Sequence, residues 1–263
     1  MDRSDIAYLL NSTPKYYYLL ELHIALIRRY APKCKWPIYF ATEVPEHPVC
    51  KMLQGYNVNI IVLEKENSSF ISSRRRALEL LPDSIKYVLP MQEDFLLERF
   101  VDTNAIHESI NILDTNNDII SVRYMPCPGP NEINPNYNKV WKYIKDDTYL
   151  FTFQATLWKK AECLTYYMNI EHEVNYRKFS SDSERNLYEV KMNIAENSDG
   201  QKIFASLFSD KKILGYIRQH KYPNAVYISP WPYRPTAVIK GTLQTFAKEL
   251  AEREGFRIGC QNY

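Results

Sequence analysis

Lys86-Tyr87-Val88-Leu89-Pro90-Met91-Gln92-Glu93-Asp94-Phe95-Leu96-Leu97 carries a short apolar run that ends on two adjacent carboxylates. A brief apolar run bounded by polar residues is the pattern of a strand buried on both faces, so 87–90 is predicted as such a strand. Two carboxylates at the end of a buried strand are costly unless water or a cation meets them. A divalent metal is one such cation, and oxygen donors select magnesium or manganese over zinc. The other reading of Glu93 and Asp94 is that they cap the segment Phe95-Leu96-Leu97-Glu98.

Upstream, residues 6–10 read as a first strand, ended by Asn11-Ser12-Thr13-Pro14. Pro14 suits the first turn of a helix with Thr13 as its N-cap. Leu19, Leu20, His23, Ile24 and Ile27 then recur at helical spacing. Residues 37–42 and 59–63 are predicted as further strands, and 72–81 as a helix carrying Arg74, Arg75 and Arg76. Alternating strand and helix implies an α/β sheet covered on both faces, with sites at the carboxyl ends of its strands.

Downstream the pattern loosens. Residues 119–123 and 150–153 read as strands, and 125–138, rich in proline, as an irregular loop. The span 156–168 is predicted as a helix with Leu157, Ala161, Leu164 and Met168 on one face. Residues 169–200 are polar and acidic, and 242–254 form a terminal helix closed by Gly255. No repeat or low-complexity linker divides the chain, so a single domain over 1–263 is expected.

Composition narrows the function. The charge is +2, from 33 basic and 31 acidic residues, so no basic field for duplex binding exists and nucleic acid is not an expected partner. Gly55, Gly129, Gly200, Gly215, Gly241, Gly255 and Gly259 are too scattered for GxGxxG or GxxxxGK[ST], which excludes both glycine-loop phosphate cradles. The cysteines form no CxxC and the histidines no HExxH, so a structural zinc site is not expected and each histidine is read as structural. Nothing approaches the roughly 20 apolar residues of a membrane helix, and the N-terminal stretch reads as no secretory signal. A cytoplasmic, reducing compartment is the expectation, with the oligomeric state left open.

The stretch from Lys86 to Leu97 resembles the acidic metal-binding motif of GT-A glycosyltransferases, which ends the fourth strand of a nucleotide-sugar-binding sheet. Ser73-Arg-Arg-Arg-Ala-Leu78, Gln154-Ala-Thr-Leu-Trp158 and Val238-Ile-Lys-Gly241 before a terminal helix follow in the order seen in small bacterial and large-DNA-virus members. The match in order and spacing covers about residues 5 to 255. It implies a GT-A-like, Rossmann-type mixed sheet with helices on both faces. Residues 1–100 would form the nucleotide-sugar-binding half and 101–263 the acceptor-binding half. One departure stands out: the family's Asp-x-Asp or Asp-Asp is Glu93-Asp94 here, which makes Asp94 the ligand of Mn2+ or Mg2+ and sets Glu93 beside it.

By that resemblance the donor is a UDP- or GDP-linked sugar and the acceptor a glycan or other hydroxyl compound. Asn11, Ser12 and Thr13 would meet the base or ribose, as would Thr42 and Glu43. Ser73 and one arginine of the Arg74–Arg76 run, with Arg76 put first, would reach the nucleotide. Consecutive helix positions point about 100° apart, so not all three can. Gln154 and Trp158 would line the acceptor side, sharing a helix face if both are helical; the other reading of Trp158 is a core residue. Glu189, after Tyr188, would be the base that takes the acceptor proton, with Glu184 and Asp182 as rivals. Arg234 or Lys240 would neutralise the leaving diphosphate, Arg234 by its forked guanidinium. Two other functions stay open: a nucleotide- or carbohydrate-binding module without catalysis, and a nucleotidyltransferase.

Overall fold

A computed structural model describes residues 2–66, 68–117, 119–124, 132–133, 140–142, 153–177, 203–207, 229–234 and 237–258. The elements are β1 (Ile6–Asn11), a 3-10 helix (Pro14–Leu19) running into α1 (Leu20–Tyr30), β2 (Ile38–Thr42), α2 (Pro48–Gly55), β3 (Val58–Val62), α3 (Phe70–Glu79) and β4 (Tyr87–Gln92). After them come α4 (Thr103–Thr115), β5 (Ile119–Arg123), β6 (Glu132–Ile133), β7 (Val140–Lys142), β8 (Thr156–Lys159), α5 (Lys160–Arg177), β9 (Ile203–Leu207), β10 (Val238–Ile239), β11 (Thr242–Leu243) and α6 (Thr245–Arg253).

Among the described residues nine strands form one mixed sheet in the order β3-β2-β1-β4-β8-β5-β9-β7-β6. β3, β2, β1 and β4 are parallel. β8 runs antiparallel to both β4 and β5, so β4 and β5 point the same way. The fold is α/β with helices on both faces. Every residue of β1 is buried, as an inner strand between two helical layers requires. Its side chains alternate. Ile6, Tyr8 and Leu10 join the core with α1, α2, α4 and α6, whereas Ala7 and Leu9 join the core with α3 and α5.

The chain steps outward from β1 to β2 to β3, then returns to lay β4 on the other side of β1. The carboxyl ends of β1 and β4 therefore flank the switch point where such sheets hold ligands. The register brings Asn11 beside Gln92 at that edge. β8 pairs only with Tyr87 and Val88 of β4. Pro90, which has no N–H to give, lies beyond the last β8 partner and breaks no ladder on that side.

Several sequence expectations change here. Thr13 precedes a 3-10 helix and makes no side-chain cap. The arginine helix starts earlier, at Phe70, because Ser69 and Ser72 form a reciprocal capping box. The predicted helix over 156–168 is a strand, β8, that passes directly into α5. Its buried face is Cys163, Tyr166 and Tyr167, while Ala161 and Met168 are exposed. α5 runs on to Arg177, into the polar, acidic span 169–200. Thr242 and Leu243 belong to a hairpin, and Gly255 takes the left-handed conformation after α6 (φ +80°). The segment around Trp231 closes one core: its ring stacks on Trp36 at 6.1 Å and lies 6.0 Å from Tyr8. No helix among the described residues is long and apolar enough to cross a membrane.

Candidate active site

The β1–β4 ladder ends at Asn11 and Gln92, and the chain then turns, with the Phe95 amide donating to the Gln92 carbonyl at 3.2 Å. Glu93 and Asp94 occupy that turn. Glu93 is buried, and its carboxyl is pushed up to about 7, first by burial and then by the charge of Asp94. Arg74 and the Ser12 hydroxyl act in the opposite direction on Glu93. Asp94 is half-buried with its Oδ1 out of solvent.

His23 of α1 sits beneath this turn, buried. Its Nδ1 lies 3.0 Å from the Glu93 carbonyl oxygen and its Nε2 2.6 Å from the Tyr8 hydroxyl. A carbonyl only accepts, so Nδ1 carries the proton and Nε2 accepts from Tyr8. Burial pushes the imidazole down to about 4, which keeps it neutral at pH 7.

α3 supplies the cations. Arg74 is the arginine within electrostatic reach of Glu93, Asp94 and Glu43. Its guanidinium lies 3.5 Å from the centroid of the Phe70 ring and donates to the Phe70 carbonyl at 2.9 Å. Arg75 turns away to pair with Glu79. Arg76 approaches Glu43 at 4.0 Å and donates to the Glu64 carbonyl at 2.9 Å. Ser73 donates its hydroxyl to Glu43. Ser73, Arg76 and Glu43 are thus brought together, while Arg74 rather than Arg76 is the arginine whose charge acts on Glu93.

The remaining sequence candidates divide. Asn11 is buried at the end of β1, Ser12 is half-buried beside Glu93, and Thr13 is exposed. Thr42 is a correction: fully buried, its Oγ1 is taken by the Tyr17 hydroxyl at 2.6 Å and the Val44 amide at 2.9 Å, so it has no surface for a nucleotide. Trp158 is another. It is buried at 2% exposure, opposite Val88 of β4, and meets Tyr166 at 5.6 Å, so it offers no ring face to a sugar. Gln154 shares no helix face with it. Gln154 precedes β8 and accepts from the Tyr233 hydroxyl at 2.7 Å, and Tyr233 stacks on Phe95, next to Asp94, at 4.6 Å. Arg234 is committed to Glu98 (Nε to Oε1, 2.6 Å) and lies over Phe246, which withdraws it from a leaving-group role.

Lys240 lies on a short hairpin. With Gly241 it forms the tip of the β10–β11 hairpin, both residues left-handed (φ 49° and 79°). This is the conformation of a two-residue hairpin turn, which a lysine adopts at a cost of about 1 kcal/mol. The tip rests on Lys15: a Cβ at Gly241 would meet Lys15 Nζ at 3.0 Å. Lys15, three positions after Ser12, and Lys240 are both exposed. Glu189, Glu184 and Asp182 lie outside the described residues.

Sequence reading took His23 as structural, put Arg76 ahead of Arg74, and did not single out Lys15. A histidine inside an otherwise apolar helical stripe was the available signal for the first, because a buried polar group needs partners. Phe70 and Arg74, one helical turn apart, were a weaker signal for the second.

No family model matches the chain, and no curated protein does. Solved structures similar to it at low identity include the following three. A 4-diphosphocytidyl-2C-methyl-D-erythritol synthase from Anaerococcus prevotii shares 12% identity over 83% of this chain and 96% of that one, with a TM-score of 0.41. S. aureus TarS 1-349 shares 12% over 79% of this chain and 58% of that one, with a TM-score of 0.44. A cytidylyltransferase from Leptospira borgpetersenii shares 11% over 80% of this chain and 76% of that one, with a TM-score of 0.41.

Proposed function

We propose that the chain transfers a sugar from a nucleoside diphosphate donor to a hydroxyl acceptor, in the manner of the GT-A glycosyltransferases that its sequence resembles. One observation carries the reading: Glu93 and Asp94 sit side by side at the switch point of the sheet, within reach of the Arg74 charge. A buried carboxyl whose proton affinity is raised by a neighbouring carboxylate marks a site short of positive charge.

The donor set fits Mn2+ or Mg2+. Both side chains offer oxygen, and magnesium is commonly held by one or two carboxylates together with substrate phosphates. Among the described residues no group of three or more His, Cys, Asp or Glu could hold a metal ion. Asp94, with Glu93, would hold it. When bound, the ion supplies charge to the diphosphate oxygens.

The chain's own groups do the rest. Asn11, Ser12, Glu43, Ser73 and Arg76 line the strand ends where base and ribose would lie. Arg74, Lys15 and Lys240 are the cations for the diphosphate, the last two in place of Arg234. Gln154, held by Tyr233 beside Phe95, faces the acceptor. Glu189 is the first choice for the base, with Glu184 and Asp182 behind it. The acceptor oxygen attacks the anomeric carbon, the bond from that carbon to the phosphate oxygen breaks, and the acceptor proton passes to the carboxylate, with inversion. A general base of this kind contributes about 10²–10⁴-fold, so Glu189→Gln should lose turnover and retain donor binding.

The test is product release with UDP- and GDP-sugars, Mn2+ and a hydroxyl acceptor. Free nucleoside diphosphate that appears only with acceptor supports the reading. Pyrophosphate released from a nucleoside triphosphate and a sugar phosphate would make the chain a nucleotidyltransferase. Donor binding without either product would make it a binding module.

A further inference from the structure

The peptide unit that joins Glu93 to Asp94 carries the carbonyl that His23 holds. A peptide is planar, so anchoring its oxygen fixes the last backbone torsion of Glu93 and the first of Asp94. Those torsions set the directions of the two carboxylates relative to each other. The strand ladder offers no help at this point, because its last pair is Asn11 and Gln92. Among the described residues the hydrogen bond given to the Glu93 carbonyl comes from His23, at 3.0 Å.

His23 is an uncommon choice for its place. It lies among Leu20, Leu22, Ile24 and Ile27 on the buried side of α1, at 1% exposure. Any aliphatic side chain would fill the volume without desolvating an imidazole. The Tyr8 hydroxyl, 2.6 Å from Nε2, leaves the ring one neutral tautomer, with its proton on Nδ1 toward the turn. Tyr8 is on β1, His23 on α1 and Glu93 after β4, so the relay ties together the elements that converge on the switch point.

We infer that Tyr8 and His23 are positioning residues for the metal-binding turn: they aim the Glu93 and Asp94 carboxylates by holding the peptide between them. The inference rests on the transferase reading above. It resembles the outer support of known metal sites, in which partners of the ligands change metal affinity about 10–100-fold when removed. Here the support reaches the ligands through the backbone.

Asparagine and glutamine separate the two bonds of His23. The Asn amide nitrogen takes the place of Nδ1 and can still donate to the Glu93 carbonyl. The Gln amide takes the place of Nε2 and can meet only Tyr8. Mn2+ binding is read from the electron paramagnetic resonance of free Mn2+, with saturating UDP, and the urea midpoint of each variant is measured beside it. His23→Gln should weaken Mn2+ binding by about 10–100-fold, and His23→Asn should stay close to the wild type. Tyr8→Phe, which frees the tautomer but keeps the carbonyl donor available, should fall between them. A purely structural histidine would lower the urea midpoints of both His23 variants and leave Mn2+ affinity unchanged. A Gln variant that binds Mn2+ as the wild type does, or an Asn variant no better than Gln, overturns the inference. If the Gln variant does not fold, the Asn and Tyr8→Phe variants decide it: equal affinity in all three folded proteins overturns it. A wild type that binds no Mn2+ with UDP instead overturns the transferase reading itself.

Discussion

Two groups of largely buried carboxylates are treated in opposite ways. Beside α6, Glu98 is paired with Arg234 at 2.6 Å, and Glu254 meets Arg29, Arg253 and the Tyr30 hydroxyl. At the end of β4, Glu93 has another carboxylate as its neighbour and is pushed up to about 7. The first group joins the C-terminal helix to the body of the fold, with each acid matched by a cation. The second keeps an electrostatic deficit at the switch point. On the proposed reading, a charged ligand completes the structure at that deficit.

Asp94→Asn should sharpen that contrast most. Transfer should fall by at least the 10²–10³-fold typical of losing one electrostatic stabiliser of a transition state. Circular dichroism and the urea midpoint should show an intact fold. Full activity in the folded variant would move the site elsewhere.

Glu93→Gln should act on stability with the opposite sign to an ordinary loss. The folded carboxyl titrates at about 7 against an ordinary 4.5, so the folded state binds the proton more tightly than the unfolded chain does. Stability from this group is therefore complete below pH 4.5 and lost as pH rises through about 7. In metal-free buffer at pH 8 the Gln variant should be more stable than the wild type, by up to roughly 3 kcal/mol, while transfer is lost. Added Mn2+ should stabilise the wild type more than the variant. Equal stability of the two proteins at pH 8 would dissolve the contrast between the groups.

Arg234→Ala tests the matched group. It leaves Glu98 largely buried without its guanidinium partner, so a loss of about 2 kcal/mol is expected from urea unfolding. Donor affinity should be unchanged. A selective loss of nucleoside diphosphate binding would return Arg234 to the site.

His23 gives the complementary pH effect. Its folded value of about 4 lies below the ordinary 6.5, so stability present above pH 6.5 is lost as pH falls toward 4. His23→Asn should lose less stability over that interval in an acid titration of the unfolding midpoint. The smallest effect is expected at the hairpin tip. Lys240→Gly relieves the left-handed backbone and should stabilise by about 1 kcal/mol, with a modest loss of nucleoside diphosphate affinity.

The parallel half was legible because buried parallel strands are continuous apolar runs. β1, β2, β3 and β4 each fall within two residues of the expected limits. β8 was not, because Thr156-Leu157-Trp158-Lys159 enters α5 without a turn residue between them. The Leu157, Ala161, Leu164, Met168 spacing then extends a helical pattern backward across a strand. The acidic pair was legible from its position after a strand. The choice among Arg74, Arg75 and Arg76 was not, since it depends on which residues α3 faces. Thr42 illustrates a different limit: a threonine at a strand end reads the same whether its hydroxyl meets a ligand or, as here, Tyr17 and Val44.

The place of Trp231 has a consequence for synthesis. This residue, from the last part of the chain, is fully buried against Tyr8 and Trp36, from the first. A nascent chain that has completed β1 to β4 still presents that aromatic surface uncovered, and contacts so distant in sequence form slowly. The switch-point end of the sheet is written first, but its core closes only after Trp231 has been made.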